Sequence, residues 1–177
     1  MSPRYSGFIE HKRAKKTMTP NHLEEIIEDA FKNNNAILDL TGKQITRLPD
    51  SIGKLVNLKA LYLADNRLQS LPDSIGNLVN LKTLFLYDNR LQRLPESISN
   101  LVNLKLLHLN NNLLTEVPDS IGNLVNLEVL KLHNNQLQRL PESIGNLVNL
   151  GTLILHNNQL HKLPDAIRDF KYLTLRF

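Results

Sequence analysis

The chain has no cysteine and no tryptophan. Without thiols there is no disulfide framework, no cysteine metal cage and no thiolate nucleophile. It also lacks an uninterrupted run of about 18 apolar residues, the least that spans a membrane. No Asn-x-Ser/Thr sequon occurs. The stretch MSPRYSGFIEHKRAKKT carries basic residues but no apolar centre of the kind a secretory leader needs. Together these absences predict a cytoplasmic protein. Catalytic signatures are missing as well: there is no G-x-S-x-G elbow, no H-E-x-x-H pair and no G-x-x-x-x-G-K-S/T phosphate loop. The expectation is a chain that is not an enzyme and has no cofactor, no metal and no nucleotide site.

Charge is unevenly placed. The formal net charge is +4 over 177 residues. Residues 1–17 hold Arg4, Lys12, Arg13, Lys15 and Lys16 against Glu10, which leaves 16 basic and 16 acidic residues in the remainder. A basic tail ahead of a neutral body is not a nucleic-acid footprint. Residues 1–19 read as a solvated, disordered tail, and no nucleic-acid or membrane partner is expected.

What the sequence has in abundance is leucine and asparagine at fixed spacing. The 23-residue stretch Leu58–Asn80, LKALYLADNRLQSLPDSIGNLVN, recurs at Leu81, Leu104, Leu127 and Leu150, and a worn copy starts at Asn35. Six copies span 35–172. In each, an L-x-L pair such as Leu61 and Leu63 reads as a short strand with its leucines inward, because strand side chains alternate. Successive strands stack into one parallel sheet about 4.8 Å apart. A recurrent proline, Pro72 and its equivalents, ends each strand pattern and fixes a turn. The following S-I-G resists a long helix, so the outer side is predicted to hold extended or short 3-10 turns. Asn66, Asn89, Asn112, Asn135 and Asn158 fall where the chain leaves each strand. There a buried amide can satisfy loose backbone groups of its own and adjacent turns. Lys43 takes that place in the first copy.

The ends differ from the middle. Over 20–34 the apolar residues Leu23, Ile26, Ile27, Ala30 and Phe31 share one helical face. Thr19 and Pro20 are suited to N-cap and first turn. An open solenoid end must be covered, so this helix reads as the N-terminal cap. The sixth copy degrades at Ala166, Arg168 and Lys171–Tyr172, which reads as a C-terminal cap. Residues 173–177 read as a tail or partial strand, out of register because Arg176 falls 23 residues after Leu153.

The unit L-x-x-L-x-L-x-x-N-x-L-x-x-L-P-x-S-I-G-N-L-V-N resembles the 23-residue leucine-rich repeats of bacterial proteins and of intracellular Ras-group proteins. The opening segment, LEEIIEDAFKNNNAILDLTGKQITRLPDSI, is similar to the start of the repeat domain in bacterial Roco GTPases. The resemblance implies an α/β leucine-rich-repeat solenoid, a shallow horseshoe with its parallel sheet on the concave face and 3-10 or extended turns on the convex face. It also implies protein–protein recognition through that sheet.

Outward strand positions vary from copy to copy where the core positions do not. They bring Tyr62, Phe85, Tyr87 and Leu106 together, with His108 beside them and Lys131, His133 and His156 as a polar flank. Aromatic residues are enriched at binding hot spots, and contiguous apolar surface marks contact sites. These eight residues are the predicted protein-binding face. The competing reading is that the rings are cross-strand neighbours that stabilise the sheet. His133 and His156 sit one rung apart but lack the further ligands of a metal cage. With His108 they are expected to titrate near pH 6.5. The expectation is a monomer that binds a protein partner. A structural or self-associating scaffold, or the recognition segment of a larger Roco-like signalling protein, is the alternative.

Overall fold

Thr19 caps the first helix by accepting a hydrogen bond from the His22 amide at 3.3 Å, and Pro20 opens helix α1, Pro20–Lys32. The computed structural model describes residues 18–170 and 174–176. Asn33 closes α1, its side-chain amide donating to the Asp29 carbonyl at 2.8 Å, and Asn34 turns the chain at φ 52°. Leu23, Ile27 and Ala30 are buried against the first coil. Ile26 is only partly covered, and Phe31 is 50% exposed. The predicted five-residue face is thus too wide. Phe31 lies about 80° around the helix from Leu23, which carries its ring past the edge of the coil that the helix covers.

Among the described residues seven three-residue strands follow in order: β1 Ile37–Asp39, β2 Ala60–Tyr62, β3 Thr83–Phe85, β4 Leu106–His108, β5 Val129–Lys131, β6 Thr152–Ile154 and β7 Thr174–Arg176. All pair parallel with their sequence neighbours in one sheet. From β1 to β6 each residue pairs with the one 23 positions on, as in Leu84↔Leu107. The last step is one residue shorter, so Leu153 pairs with Leu175 and Ile154 with Arg176. The expected register of the C-terminal segment is therefore corrected. Counting a full 23 residues placed Arg176 inward, whereas the shortened coil keeps the alternation and turns Arg176 outward.

The inward leucines form one continuous apolar interior; Leu61, Leu84, Leu107, Leu130 and Leu153 are all 0% exposed. Outside the sheet run six 3-10 turns, from Asp50–Lys54 to Asp165–Asp169, each preceded by proline and begun by an acid. The proline carbonyl accepts the first bond of the turn, as from Ile75 to Pro72 at 3.0 Å.

The glycine of S-I-G serves a further purpose beyond keeping the turn short. The positive-φ glycine among the described residues is Gly42, at 68°, not the turn glycines. A Cβ on Gly76 would lie 2.6 Å from the Ser97 carbonyl oxygen and 2.8 Å from the Ser97 Cβ. Glycine here lets consecutive convex turns approach closely. Gly76→Ala is accordingly expected to cost about 1 kcal/mol, at the low end of overpacking penalties. The third coil bears Ser99 at the equivalent place, so the stack can yield locally. Urea unfolding of the variant checks this, and unchanged stability would show that the clash relaxes freely.

Candidate protein-interaction surface

The asparagines that leave each strand set the frame of the concave face. Asn66, Asn89, Asn112 and Asn135 are buried and Asn158 is half-buried. Each reaches one coil back. The Asn89 oxygen accepts the Leu68 amide at 3.0 Å, and its nitrogen donates to the Leu63 and Leu86 carbonyls at 2.9 and 3.1 Å. Asn158 repeats this with Leu137, Leu132 and Leu155. Asn66 stitches the first coil, accepting the amides of Lys43 and Ile45. Because the bonds run backward, the first coil has no earlier turn to reach, and Lys43 suffices there.

A second ladder, not foreseen from the sequence, runs along the rim beside the first. Asp65, Asp88, Asn111, Asn134 and Asn157 all have φ between 54° and 57°. Side-chain amides link successive rungs, Asn111 to Asp88 at 2.6 Å and Asn157 to Asn134 at 2.7 Å. The left-handed region tolerates Asn and Asp best among residues with a Cβ. The D-N and N-N pairs at these positions were the available signal. A third row, Asn80, Asn103, Asn126 and Asn149, donates to the Val56, Val79, Val102 and Val125 carbonyls at 2.8–2.9 Å.

Within this frame the outward side chains meet. Tyr62 on β2 and Phe85 on β3 have ring centroids 5.2 Å apart, and Phe85 to Tyr87 is 6.1 Å. His108 on β4 stacks on Phe85 at 4.2 Å with 7° between planes, and Tyr87 stands 6.5 Å from His108. His133 and His156 stack at 4.6 Å. Leu106 and Lys131 occupy outward positions of β4 and β5. All eight predicted residues are half-buried rather than freely exposed, because the rings shelter one another across strands. The exposed large apolar side chains among the described residues are Ile37, at the β1 edge of the same sheet, and, away from it, Leu113, Phe31 and a row formed by Val56, Val79, Val102, Val125 and Val148.

His108 and His133 depart from the expected ordinary values. Burial first, then the charges of Lys131 and His133, push His108 down to about 4. His133 is also lowered, by burial and then by His156 and Lys131; its Nδ1 is buried without a hydrogen-bond partner. The middle of the sheet is therefore neutral at pH 7, with Lys131 its fixed charge. Asp39 sits below the usual carboxylate range because the Thr41 amide donates to it at 2.9 Å. Among the described residues no group of three or more His, Asp or Glu has a metal-holding arrangement, and no helix is long and apolar enough to cross a membrane.

The family model described as a leucine-rich repeat region matches residues 36–136, and one described as leucine-rich repeats in two copies matches 125–169. A search of curated proteins returns no match. Among solved structures, the chain is similar to an internalin from Listeria monocytogenes, with 26% identity and a TM-score of 0.65 over 75% of this chain and 38% of the other. It is similar to the ectodomain of a plant membrane receptor kinase from Arabidopsis thaliana, solved in complex with Casparian strip integrity factor 2. The identity is 35% and the TM-score 0.69 over 78% of this chain and 17% of that one. A leucine-rich-repeat protein of Leptospira interrogans matches at 27% identity and a TM-score of 0.51, over 84% of this chain and 56% of its own. The chain thus spans 38%, 17% and 56% of the length of these three, less than two thirds of each. On the strength of a model match over more than half its length, the chain belongs to the leucine-rich-repeat proteins.

Proposed function

We propose that this chain is a non-catalytic recognition module that binds a protein partner across its concave sheet, with Tyr62, Phe85, Tyr87, Leu106 and His108 at the centre and Lys131, His133 and His156 on the flank. The supporting observation is the unbroken contact from Tyr62 through Phe85 to His108. Rigid, pre-packed rings offer large contact area at little entropy cost, the property that enriches aromatics at hot spots. Seven strands with several outward positions each also approach the roughly 20–30 residues per side of a standard interface. One structural neighbour was solved bound to a separate factor, which supports a binding role. In this reading residues 35–172 are the recognition unit, of the 23-residue repeat class, and 20–34 cap it.

The test is a Phe85→Ala, Tyr87→Ala double variant in affinity capture with quantitative titration of the captured protein. Affinity is expected to fall at least tenfold, about 1.4 kcal/mol. The interior leucines are untouched, so the melting temperature should shift by only a few degrees. Undiminished affinity would falsify the assignment.

Self-association is the second reading, and the exposed valine row from Val56 to Val148 is the feature that favours it. Sedimentation velocity over a hundredfold concentration range separates the two, since a scaffold of this kind gains mass with concentration.

A further inference from the structure

The central outward row of the sheet has a polarity along the stack. It begins with the carboxylate of Asp39, passes through Tyr62, Phe85 and His108, and ends with Lys131, Ile154 and Arg176. The one-residue shortening of the last coil completes it by adding Arg176, which is exposed, at the end of the row. With strands about 4.8 Å apart, Lys131 and Arg176 stand about 10 Å from each other, two strands apart and within the span of one short peptide. Among the described residues Lys131 is the one lysine or arginine that is not exposed; several of the exposed ones pair with carboxylates, Lys105 with Glu128 at 2.6 Å, Lys54 with Glu28 at 3.8 Å and Arg168 with Asp165 at 3.4 Å. Among the described residues neither Lys131 nor Arg176 forms such a pair. Lys131 is half-buried on the concave side and is flanked by His108 and His133, which contribute no negative charge.

We propose that the partner presents an extended, acidic polypeptide segment running along this row. It sets an apolar side chain on the Phe85–His108 stack and carboxylates over Lys131 and Arg176. This inference rests on the concave surface being the binding face and adds the chemistry and direction of what binds there. The stacked pair supplies a flat, uncharged platform that suits an aliphatic or aromatic side chain. A cation already half removed from water and lacking an internal counter-ion gains more from an incoming carboxylate than an exposed, paired lysine would. A basic segment would meet uncompensated like charge at the same place.

The experiment selects phage-displayed random dodecapeptides against the full chain, and against Lys131→Glu, Arg176→Glu and the Phe85→Ala, Tyr87→Ala variant. Wild type is expected to enrich sequences with two or more Asp or Glu on one side of one large apolar residue. A synthetic peptide from that pool should lose at least tenfold in affinity when its acids are changed to Asn or Gln, or when it meets Lys131→Glu. Arg176→Glu should cost severalfold, with the melting curve unchanged. Enriched peptides that are neutral or basic, yet lost in the aromatic variant, would overturn the acidic partner and leave the concave face standing. Peptides that bind the aromatic variant and both charge variants as well as wild type would overturn both. Failure of wild type to enrich any sequence over the aromatic variant also overturns the proposal.

Discussion

Asn112→Ala is expected to lower the stability of the chain by about 3 kcal/mol, against about 1 kcal/mol for the same change at Asn158. Asn112 is 5% exposed. Its oxygen accepts the Leu91 amide at 2.9 Å, and its nitrogen donates to the Leu86 and Leu109 carbonyls at 2.9 and 3.1 Å. Alanine leaves these groups unequally deprived. The Leu86 carbonyl keeps Asn89 and the Leu109 carbonyl keeps Asn135, so each loses a second bond. The Leu91 amide loses the partner that Asn112 supplied, at a residue that is 0% exposed. An orphaned buried amide costs about 1–3 kcal/mol, and two weakened carbonyls plus a small cavity add the rest. At Asn158 the side chain is half-buried, so solvent can take over part of its role. In a domain of this size about 3 kcal/mol corresponds to a melting temperature lower by roughly 6–12 °C. Because Asn112 couples neighbouring coils in mid-stack, the denaturant slope should fall as well, as the two halves begin to unfold separately. Equal losses at 112 and 158 in urea titrations would contradict this account.

The same residues show what was readable in advance. Inward leucines and the buried asparagines obey a local rule, alternation about a short strand, and one coil suffices to state it. Features that depend on how one coil meets the next were hidden. Gly76 reads only as a residue that resists a long helix, yet it is also required by the approach of Ser97 from the following coil. Phe31 satisfies the helical period but overshoots the edge of the coil it was expected to cover. Arg176 was misplaced because a fixed period cannot reveal that one coil is a residue short. The rim ladder from Asp88 to Asn157 was spelled out in repeated D-N and N-N pairs, but its bonds are between coils. At the concave face the sequence identified which rings neighbour each other. It did not convey that they shelter one another, and so it missed the low proton affinity of His108.

That low affinity makes folding sensitive to pH in a defined direction. His108 has an ordinary value of 6.5 when unfolded and about 4 in the folded chain. Between those values the unfolded chain binds a proton that the folded one does not. Stability must therefore fall as pH drops from 6.5 toward 4. For a wholly enclosed ring the difference would be worth about 3 kcal/mol. His108 is half-buried, and water screens part of the cost, which brings the expectation to about 2 kcal/mol. The groups facing it are Phe85 and Tyr87 on one side and Lys131 and His133 on the other. No carboxylate contributes to the shift, so nothing nearby offsets the incoming charge. His108→Phe keeps a flat ring against Phe85 and removes the titration. Acid destabilisation shared by both proteins, including that from Asp39, cancels in the comparison. Going from pH 7 to pH 4, wild type should lose about 2 kcal/mol more than His108→Phe in urea unfolding. Parallel pH profiles for the two proteins would mean that the histidine accepts its proton freely on the folded sheet. Its burial against Phe85 would then carry no cost for charging the ring.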